Sequence, residues 1–327
     1  LLDNDHVRVA VPQGNRAFVM AGVSRREFDG PIAIDFPGLP EGVTFETWPI
    51  PAGQTQAPVL LSAAADAPLA GTLAQMTGRW DEEGREVSGA LQQNVKLVNY
   101  RNNTTFFGRD VDRMATAVTV AAPFKLSVDP PPVPVVHGGA MQLTVRAERD
   151  ENFSAPIDLH VPWLPNKIGA GTAQIKQGED TAQLRLECYG GAAVGEHRIL
   201  IVGRARGYEL ATPFVSFEVQ EPWVNFDIAK AVTEQGKPVE VEVTVNKRVD
   251  FDGEFEAVLH NLPNGVRTAP QPFTQDTEKL VFPLEVAEDA RHGRHRQLMI
   301  RTAIGLEAGA IDHTSARGEL QIHQPLP

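Results

Sequence analysis

The residues of this chain best suited to chemistry are carboxylates in two turn-like clusters. One cluster reads Asp250-Phe251-Asp252-Gly253-Glu254 and the other reads Asp81-Glu82-Glu83-Gly84. Calcium in proteins is held by carboxylate and carbonyl oxygens on loops. Asp250, Asp252 and Asp29, which begins a similar Asp-Gly turn, are therefore candidate calcium ligands. Neither cluster matches the twelve-residue calcium loop.

An alternative interpretation of the Asp-Gly turns needs no metal. Glycine adopts a positive φ without strain, and aspartate caps a turn with a side-chain hydrogen bond. Where the turn recurs in the middle of the chain, Ser154 and Ala155 replace the aspartate and the glycine. This substitution favours structural turns over a repeated metal site.

Catalytic chemistry has little support in the sequence. It contains no nucleophile elbow, no phosphate-binding glycine loop and no HExxH motif. The densest histidine cluster, His292-Gly293-Arg294-His295, is flanked by further arginines that repel a cation. We therefore expect solvated turn residues there rather than a zinc site, and we expect no enzyme activity.

Exposed aromatic residues could instead bind a sugar. The chain has four tryptophans, and Trp163 occupies a position where the other copies of its motif have Gly38 and Asn261. A residue that the fold does not require is a candidate for exposure. Trp163 is therefore the candidate ligand contact, and packing at a domain junction is the alternative.

These residues lie within a motif that occurs three times. In each copy a Phe stands 11 residues before the Leu of a Leu-Pro turn (39 − 28, 164 − 153, 262 − 251). The phenylalanines are Phe28, Phe153 and Phe251, and the leucines are Leu39, Leu164 and Leu262. Such periodicity marks tandem structural units. The motif predicts architecture, with each Leu closing the end of a core.

The elements between these turns are short strands. Apolar residues alternate with polar ones, as in Ile32-Ala33-Ile34-Asp35-Phe36, and turns follow at intervals of 8 to 12 residues. About seven such strands fit into each repeat, and no segment has sustained helical periodicity. The pattern predicts an all-β protein made of three tandem immunoglobulin-like β-sandwich domains.

The repeat spacing predicts domain boundaries. Copies two and three lie 98 residues apart (251 − 153), but copies one and two lie 125 apart (153 − 28). We therefore expect sandwiches at 1–99, 123–220 and 221–327, with an ordered linker insertion at 100–122. Its apolar residues, Phe106 and Phe107 among them, are predicted to pack across the first junction. Trp223, after Pro222, is predicted to lie at the second.

Composition excludes several classes of protein. The net charge of −12 argues against a nucleic-acid partner. The single cysteine, Cys188, cannot form an intrachain disulfide, and its apolar flanks predict a small buried side chain. The sequence contains no run of about 20 apolar residues, the length that a membrane-spanning helix needs. The chain begins with Leu1 rather than Met, so we interpret it as part of a longer protein.

Several stretches resemble a group of large secreted bacterial proteins that carry tandem immunoglobulin-like modules, often with a pre-peptidase C-terminal (PPC) domain. The stretches are Asp110-Val111-Asp112-Arg113, Ala117-Val118-Thr119, Ala122-Pro123-Phe124, Val136-His137-Gly138-Gly139, Glu234-Gln235-Gly236, Gly318-Glu319-Leu320-Gln321-Ile322 and Pro325-Leu326-Pro327. The resemblance covers essentially the whole chain, but these are turn and strand signatures. It implies an extracytoplasmic location and a multidomain parent, and it transfers no catalytic residue.

These observations predict a non-catalytic structural or interaction region, a rod-like spacer or an adhesion module. The expected partners are other domains of the same polypeptide and a cell-surface protein or glycan. No cofactor is expected, apart from the calcium considered above. The alternative function is a carbohydrate- or calcium-binding accessory module of a secreted enzyme.

Overall fold

The structure of the chain is a computed structural model that describes residues 8–82, 84–99, 105–315 and 317–325. The described residues are all β, in three successive immunoglobulin-like sandwiches. Each sandwich has its own apolar core, and one core gives way to the next between Val118 and Ala122 and again between Val219 and Val224. No helix that could span a membrane is found in these residues.

The first sandwich contains an inserted hairpin in addition to its core strands. Its main sheets have the orders β2-β5-β4, β1-β11-β6 and β3-β7-β8, and β9 pairs with β10 alone. The strands are β1 (Arg8–Pro12), β2 (Arg16–Gly22), β3 (Ala33–Asp35), β4 (Val43–Thr47), β5 (Gln56–Ala63), β6 (Gly71–Ala74), β7 (Thr77–Glu82), β8 (Arg85–Ala90), β9 (Gln93–Asn99), β10 (Thr105–Val111) and β11 (Met114–Thr119).

The second sandwich has the sheet orders β12-β14-β18-β16, β13-β22-β19 and β17-β15-β20-β21. The strands are β12 (Phe124–Val128), β13 (Val135–Val136), β14 (Ala140–Arg149), β15 (Ile157–His160), β16 (Ile168–Ala170), β17 (Ala173–Ile175), β18 (Thr181–Cys188), β19 (Gly195–Ile199), β20 (Val202–Ala205), β21 (Tyr208–Ala211) and β22 (Val215–Gln220).

The third sandwich repeats this arrangement, with the sheet orders β23-β25-β29-β27 and β24-β32-β30-β26-β28, and β31 also paired to β30. The strands are β23 (Val224–Ile228), β24 (Ala231–Glu234), β25 (Val239–Lys247), β26 (Phe255–His260), β27 (Val266–Arg267), β28 (Gln271–Phe273), β29 (Lys279–Val286), β30 (Gly293–Leu306), β31 (Gly309–Thr314) and β32 (Gly318–His323). In all three sandwiches an early strand pairs in parallel with the last one: β1 with β11, β13 with β22, and β24 with β32.

The expectation of a linker insertion at 100–122 is wrong for β11, which belongs to the first sandwich, and residues 100–104 of that range lie outside the described residues. β11 pairs with β1 and β6, and Met114 and Val118 lie in the first core. In the second sandwich β20 pairs with β21 and β19 with β22, just as β7 pairs with β8 and β6 with β11 in the first. The extra residues are therefore a hairpin, β9–β10, inserted into the last strand of the first sandwich.

The Phe-to-Leu motif closes the end of each core. Leu39, Leu164 and Leu262 each pack against the core of their own sandwich. Three residues after each Leu the backbone has a positive φ, 75° at Gly42, 64° at Lys167 and 83° at Gly265. The same left-handed turn thus forms even where a lysine replaces glycine, which identifies the motif as architecture.

Cys188 is confirmed as a small buried side chain in the second core, with 1% of its surface exposed. Burial raises the pKa of its thiol to about 11. Since the thiolate is the reactive form, we expect the folded protein to react with a disulfide reagent at pH 8 roughly 100-fold more slowly than the urea-unfolded chain. A colorimetric thiol titration in the two states measures this, and equal rates would contradict the burial.

Candidate functional site

The candidate functional site is the cleft between the first and second sandwiches, of about 780 Å³. The first sandwich contributes Trp48 and the turn 51–56 to its walls. The second contributes the Leu-Pro turn at 162–166 with Trp163, together with His197 and Arg198. Two domains and two tryptophans thus meet around one opening.

Arg198 links the two walls of this cleft. Its guanidinium carbon lies 4.8 Å from the centroid of the Trp48 ring, and its Nη1 lies 3.7 Å from Glu46 Oε1 in the first sandwich. Its Nε lies 3.5 Å from Glu196 Oε1, which also accepts a hydrogen bond from Ser216 Oγ at 2.8 Å. The Ser216 hydroxyl, followed by Arg198, lowers the pKa of Glu196. Arg198 therefore covers one face of Trp48 and ties the two sandwiches together.

Trp163 lies in the wall of the cleft but is largely covered. Only 8% of its surface is exposed, so the expectation of a freely exposed ring is wrong. The Leu-Pro turn that carries it packs against the second core through Leu164. The structure therefore places Trp163 in the wall of the cleft between two domains, the alternative position considered from the sequence.

Beneath the cleft the two sandwiches share an apolar contact that the sequence analysis did not identify. Leu60 of β5 is buried against Leu200, Val202 and Ala211 of the second sandwich, with Phe18 and Phe214 at the edges. Asn15, 3% exposed, donates a hydrogen bond from Nδ2 to the backbone oxygen of Phe124 at 2.7 Å. The sequence signal for this contact is the uninterrupted apolar run of β5, which indicates a strand buried on both faces.

The second junction is built from backbone packed on backbone. The turn at Gly138 and Gly139 in the second sandwich lies against β31 of the third. A Cβ atom on Gly139 would be 2.2 Å from the backbone oxygen of Asp312, and one on Gly138 would be 3.0 Å from that of Thr314. Only glycine allows two sandwiches to approach this closely.

Trp223 lies at the second junction and anchors it by two hydrogen bonds. Its backbone N–H donates to His313 Nε2 at 3.1 Å, and its indole Nε1 donates to Gln220 Oε1 at 3.0 Å. His313 Nδ1 bonds to the backbone oxygen of Ile311 at 3.0 Å. The ring is therefore neutral, with its proton on Nδ1. Burial lowers the pKa of His313 to about 4.

Phe107, predicted to pack across the first junction, lies on the surface of the β9–β10 hairpin instead. Phe107 is 57% exposed on β10, and Leu97 and Val98 on β9 are also exposed. The side chain of Phe106 lies outside the described residues. The hairpin therefore carries apolar side chains on its surface instead of bringing Phe107 into the junction.

The candidate calcium ligands have protein partners. Asp29 Oδ1 accepts hydrogen bonds from the backbone N–H groups of Gly30 and Gly53 at 2.9 and 3.0 Å, as a turn-capping aspartate does. Asp250 Oδ1 accepts one from Gln275 Nε2 at 2.9 Å, and Asp252 is exposed. Within the described ranges these aspartates belong to no cluster of three or more histidine, cysteine or acidic side chains suited to a metal ion.

Known proteins similar to this chain are found among solved structures. No protein-family model matches the chain, and none of the curated proteins matches it. Among solved structures it is similar to the D0-D1 domain of intimin, at 13% identity over 60% of this chain and 97% of that one, with a TM-score of 0.22.

Two further structures are the Yersinia pseudotuberculosis adhesin InvE, at 10% identity, and the fibronectin(III)-like modules of Clostridium thermocellum CbhA, at 12%. They cover 60% and 67% of this chain, and the chain covers 58% and 92% of theirs, with TM-scores of 0.23 and 0.20. The sheets and the three cores of the described residues define a tandem immunoglobulin-like β protein.

Proposed function

We propose that this chain is a non-catalytic spacer or adhesion region of a larger extracytoplasmic bacterial protein, and that it holds three sandwiches at fixed angles. The observation that supports this proposal is that both junctions are packed. The first has a buried apolar contact around Leu60 and Leu200, and the second has the Gly138-Gly139 turn seated on β31.

The surface area supports an extended arrangement of these sandwiches. The chain exposes 18157 Å². A compact single-domain protein of 35.6 kDa would expose roughly 13,000 Å². Three separate cores in place of one account for the excess.

Solution scattering tests the proposal. We expect the wild-type curve to fit one elongated, rigid arrangement of three sandwiches. Leu60→Asp places a charge in the first junction, where Leu60 is 1% exposed, and should broaden the distribution of interatomic distances. Leu73→Asp is the matched control, because Leu73 is 65% exposed on the same sandwich. A wild-type curve typical of a compact globule, or of freely jointed beads, would contradict the proposal.

A second candidate function is carbohydrate binding in the cleft. The specific observation is that Trp48 and Trp163 line it together with side chains that can hydrogen-bond a sugar, among them Gln54, Gln56 and Asn166. A glycan array with the wild type and Trp163→Ala tests this function. A signal that is lost in the variant supports it, and an array without hits on the wild type contradicts it.

A further inference from the structure

The turns that follow β2, β14 and β25 differ at the two positions that flank their phenylalanine. In the first and third sandwiches both positions are acidic, in the sequences Glu27-Phe28-Asp29 and Asp250-Phe251-Asp252. In the second sandwich the sequence is Asn152-Phe153-Ser154. An asparagine followed two positions later by serine or threonine is the acceptor pattern for N-linked glycosylation. The second sandwich thus has an acceptor pattern where the other two have carboxylates.

In the first and third sandwiches a flanking carboxylate helps to hold the turn. Asp29 Oδ1 accepts two backbone hydrogen bonds in the first sandwich, as described above. In the third, Asp250 Oδ1 accepts a hydrogen bond from Gln275 Nε2 at 2.9 Å, and Gln275 Oε1 accepts one from the backbone N–H of Phe251 at 3.1 Å. These side chains have a structural role, which accounts for acidic residues beside the phenylalanine.

The turn of the second sandwich is held by other groups. The ring of Phe153 stacks on that of Phe124 with 5.2 Å between centroids, and the guanidinium carbon of Arg149 lies 5.6 Å from the Phe153 centroid. Arg149 Nη1 also donates to the backbone oxygen of Ala155 at 2.6 Å. The backbone N–H of Phe153 donates to the backbone oxygen of Asp150 at 2.9 Å. The turn is therefore fixed through its phenylalanine and its backbone.

Asn152 and Ser154 have no such structural role. Both residues are exposed, and neither side chain makes a hydrogen bond within the parts of the chain that the structure describes. A surface turn between two strands can be reached by an enzyme while the core stays folded. The acceptor amide and the hydroxyl two positions later are therefore both available on the folded protein.

We propose that Asn152 is a glycosylation site, modified by an oligosaccharyltransferase that takes its oligosaccharide from a lipid diphosphate. The nitrogen Nδ2 of Asn152 attacks the first carbon of the sugar, and an N-glycosidic bond forms. The bond between that carbon and the diphosphate oxygen breaks, and the lipid diphosphate leaves with the electron pair. Nδ2 loses one proton to a base of the transferase, so no oxidant or reductant is needed. The acceptor pattern also requires the hydroxyl of Ser154.

The charge around Asn152 favours it over the two other matches to the acceptor pattern, at Asn102 and Asn103. A transferase site that holds a lipid diphosphate must be cationic, because phosphate oxygens are bound by basic groups. Asp150 stands two positions before Asn152 and is exposed, so it is attracted to such a site. Arg101 stands directly before Asn102 and two positions before Asn103, and it is repelled.

Coexpression with a transferase tests the site. The whole chain, preceded by a cleavable secretion signal, is directed to the periplasm of a bacterium that makes an oligosaccharyltransferase and its lipid-linked oligosaccharide. Mass spectrometry of the intact protein should show one added oligosaccharide, and peptide mapping should place it on Asn152. Asn152→Gln and Ser154→Ala should each lose the modification. Ser154→Thr should keep it, because threonine also satisfies the acceptor pattern.

Further variants serve as controls. Asn102→Gln combined with Asn103→Gln removes the other two matches and should leave the modified fraction unchanged. Asp150→Ala should lower the modified fraction severalfold, since it removes the attraction to a cationic site. Because Asn152 and Ser154 are exposed, their variants should have the wild-type Tm. A lost glycan in these variants then reports the acceptor and not the fold.

Three results would overturn the proposal. The wild type could carry no glycan although a reference acceptor protein made in the same cells does. The glycan could persist in Asn152→Gln, which would place it on another asparagine. A peptide of residues 147–157 could be modified while the folded chain is not, which would show that the turn is closed to the transferase. The site is of use only with the extracytoplasmic location proposed above, but none of these results changes the scattering test of the spacer function.

Discussion

Gly139→Ala is expected to separate the third sandwich from the second. The added Cβ would be 2.2 Å from the backbone oxygen of Asp312 and 3.0 Å from that of Val136. Both contacts are with backbone atoms that belong to strands, so no flexible side chain can move aside. The sandwiches must shift apart, at a cost of about 1–3 kcal/mol in the free energy of unfolding.

Urea unfolding and solution scattering measure the two parts of this prediction. The urea concentration at the midpoint of unfolding should fall, and the distribution of interatomic distances should broaden. Gly190→Ala is the matched control in the same sandwich, because a Cβ there has open space. A Gly139→Ala protein with wild-type stability and scattering would show that the second junction is not closed by backbone contact.

The stability of the third sandwich and its junction should fall as the pH drops from about 6.5 to about 4, because of His313. Its pKa in the folded protein is about 4, while in the unfolded chain it returns to its ordinary value of 6.5. Between these values the unfolded chain binds a proton that the folded protein does not, so acid favours unfolding. Above pH 6.5 His313 is neutral in both states and the free energy of unfolding has its full value. Below pH 4 protonation of His313 has lowered that free energy by about 3 kcal/mol.

The variant His313→Gln isolates this effect. A glutamine side chain can still accept the hydrogen bond from the N–H of Trp223, but it does not titrate. We expect its free energy of unfolding to change less with pH between 6.5 and 4 than that of the wild type. Asp312 also titrates at this junction, because burial raises its pKa against the lowering effect of Arg185 and Arg301. Its contribution cancels when the two profiles are subtracted.

Urea titrations at several pH values from 7 to 4 give the two profiles. His292→Gln, at an exposed turn, is the matched histidine substitution outside the junction. Parallel profiles for the wild type and His313→Gln would contradict the prediction, and would mean that His313 accepts a proton without disturbing its bond to Trp223.

The inserted hairpin shows where sequence periodicity stops being informative. The run at 117–121 is recognisable as a strand from its alternating residues, and its first three residues form the end of β11. Its partners β1 and β6 are distant in the sequence, however, and no local signal assigns a strand to a particular sheet. A segment between two repeats therefore resembles a linker even when its second half completes the first sandwich.

Trp163 shows the same limit for a side chain. Its departure from the repeat correctly marks it as a residue that the turn itself does not need. Whether such a residue is exposed depends on tertiary packing, and Trp163 lies in the wall of a cleft between two sandwiches. The sequence suggested an exposed aromatic side chain, and in the structure only 8% of the surface of Trp163 is exposed.

By itself the sequence determined the fold class, the number of repeats and the turns between strands, because alternation, glycine and Leu-Pro turns act over a few residues. Cys188 also belongs to this group, since its apolar neighbours predict its burial. Only the tertiary structure decided how the domains meet and where the cleft between them lies. These depend on contacts such as Leu60 with Leu200 and Gly139 with Asp312, which join distant residues and leave no local pattern. The Asp-Gly turns were predictable because they are local, and the surfaces through which the protein is proposed to act were not.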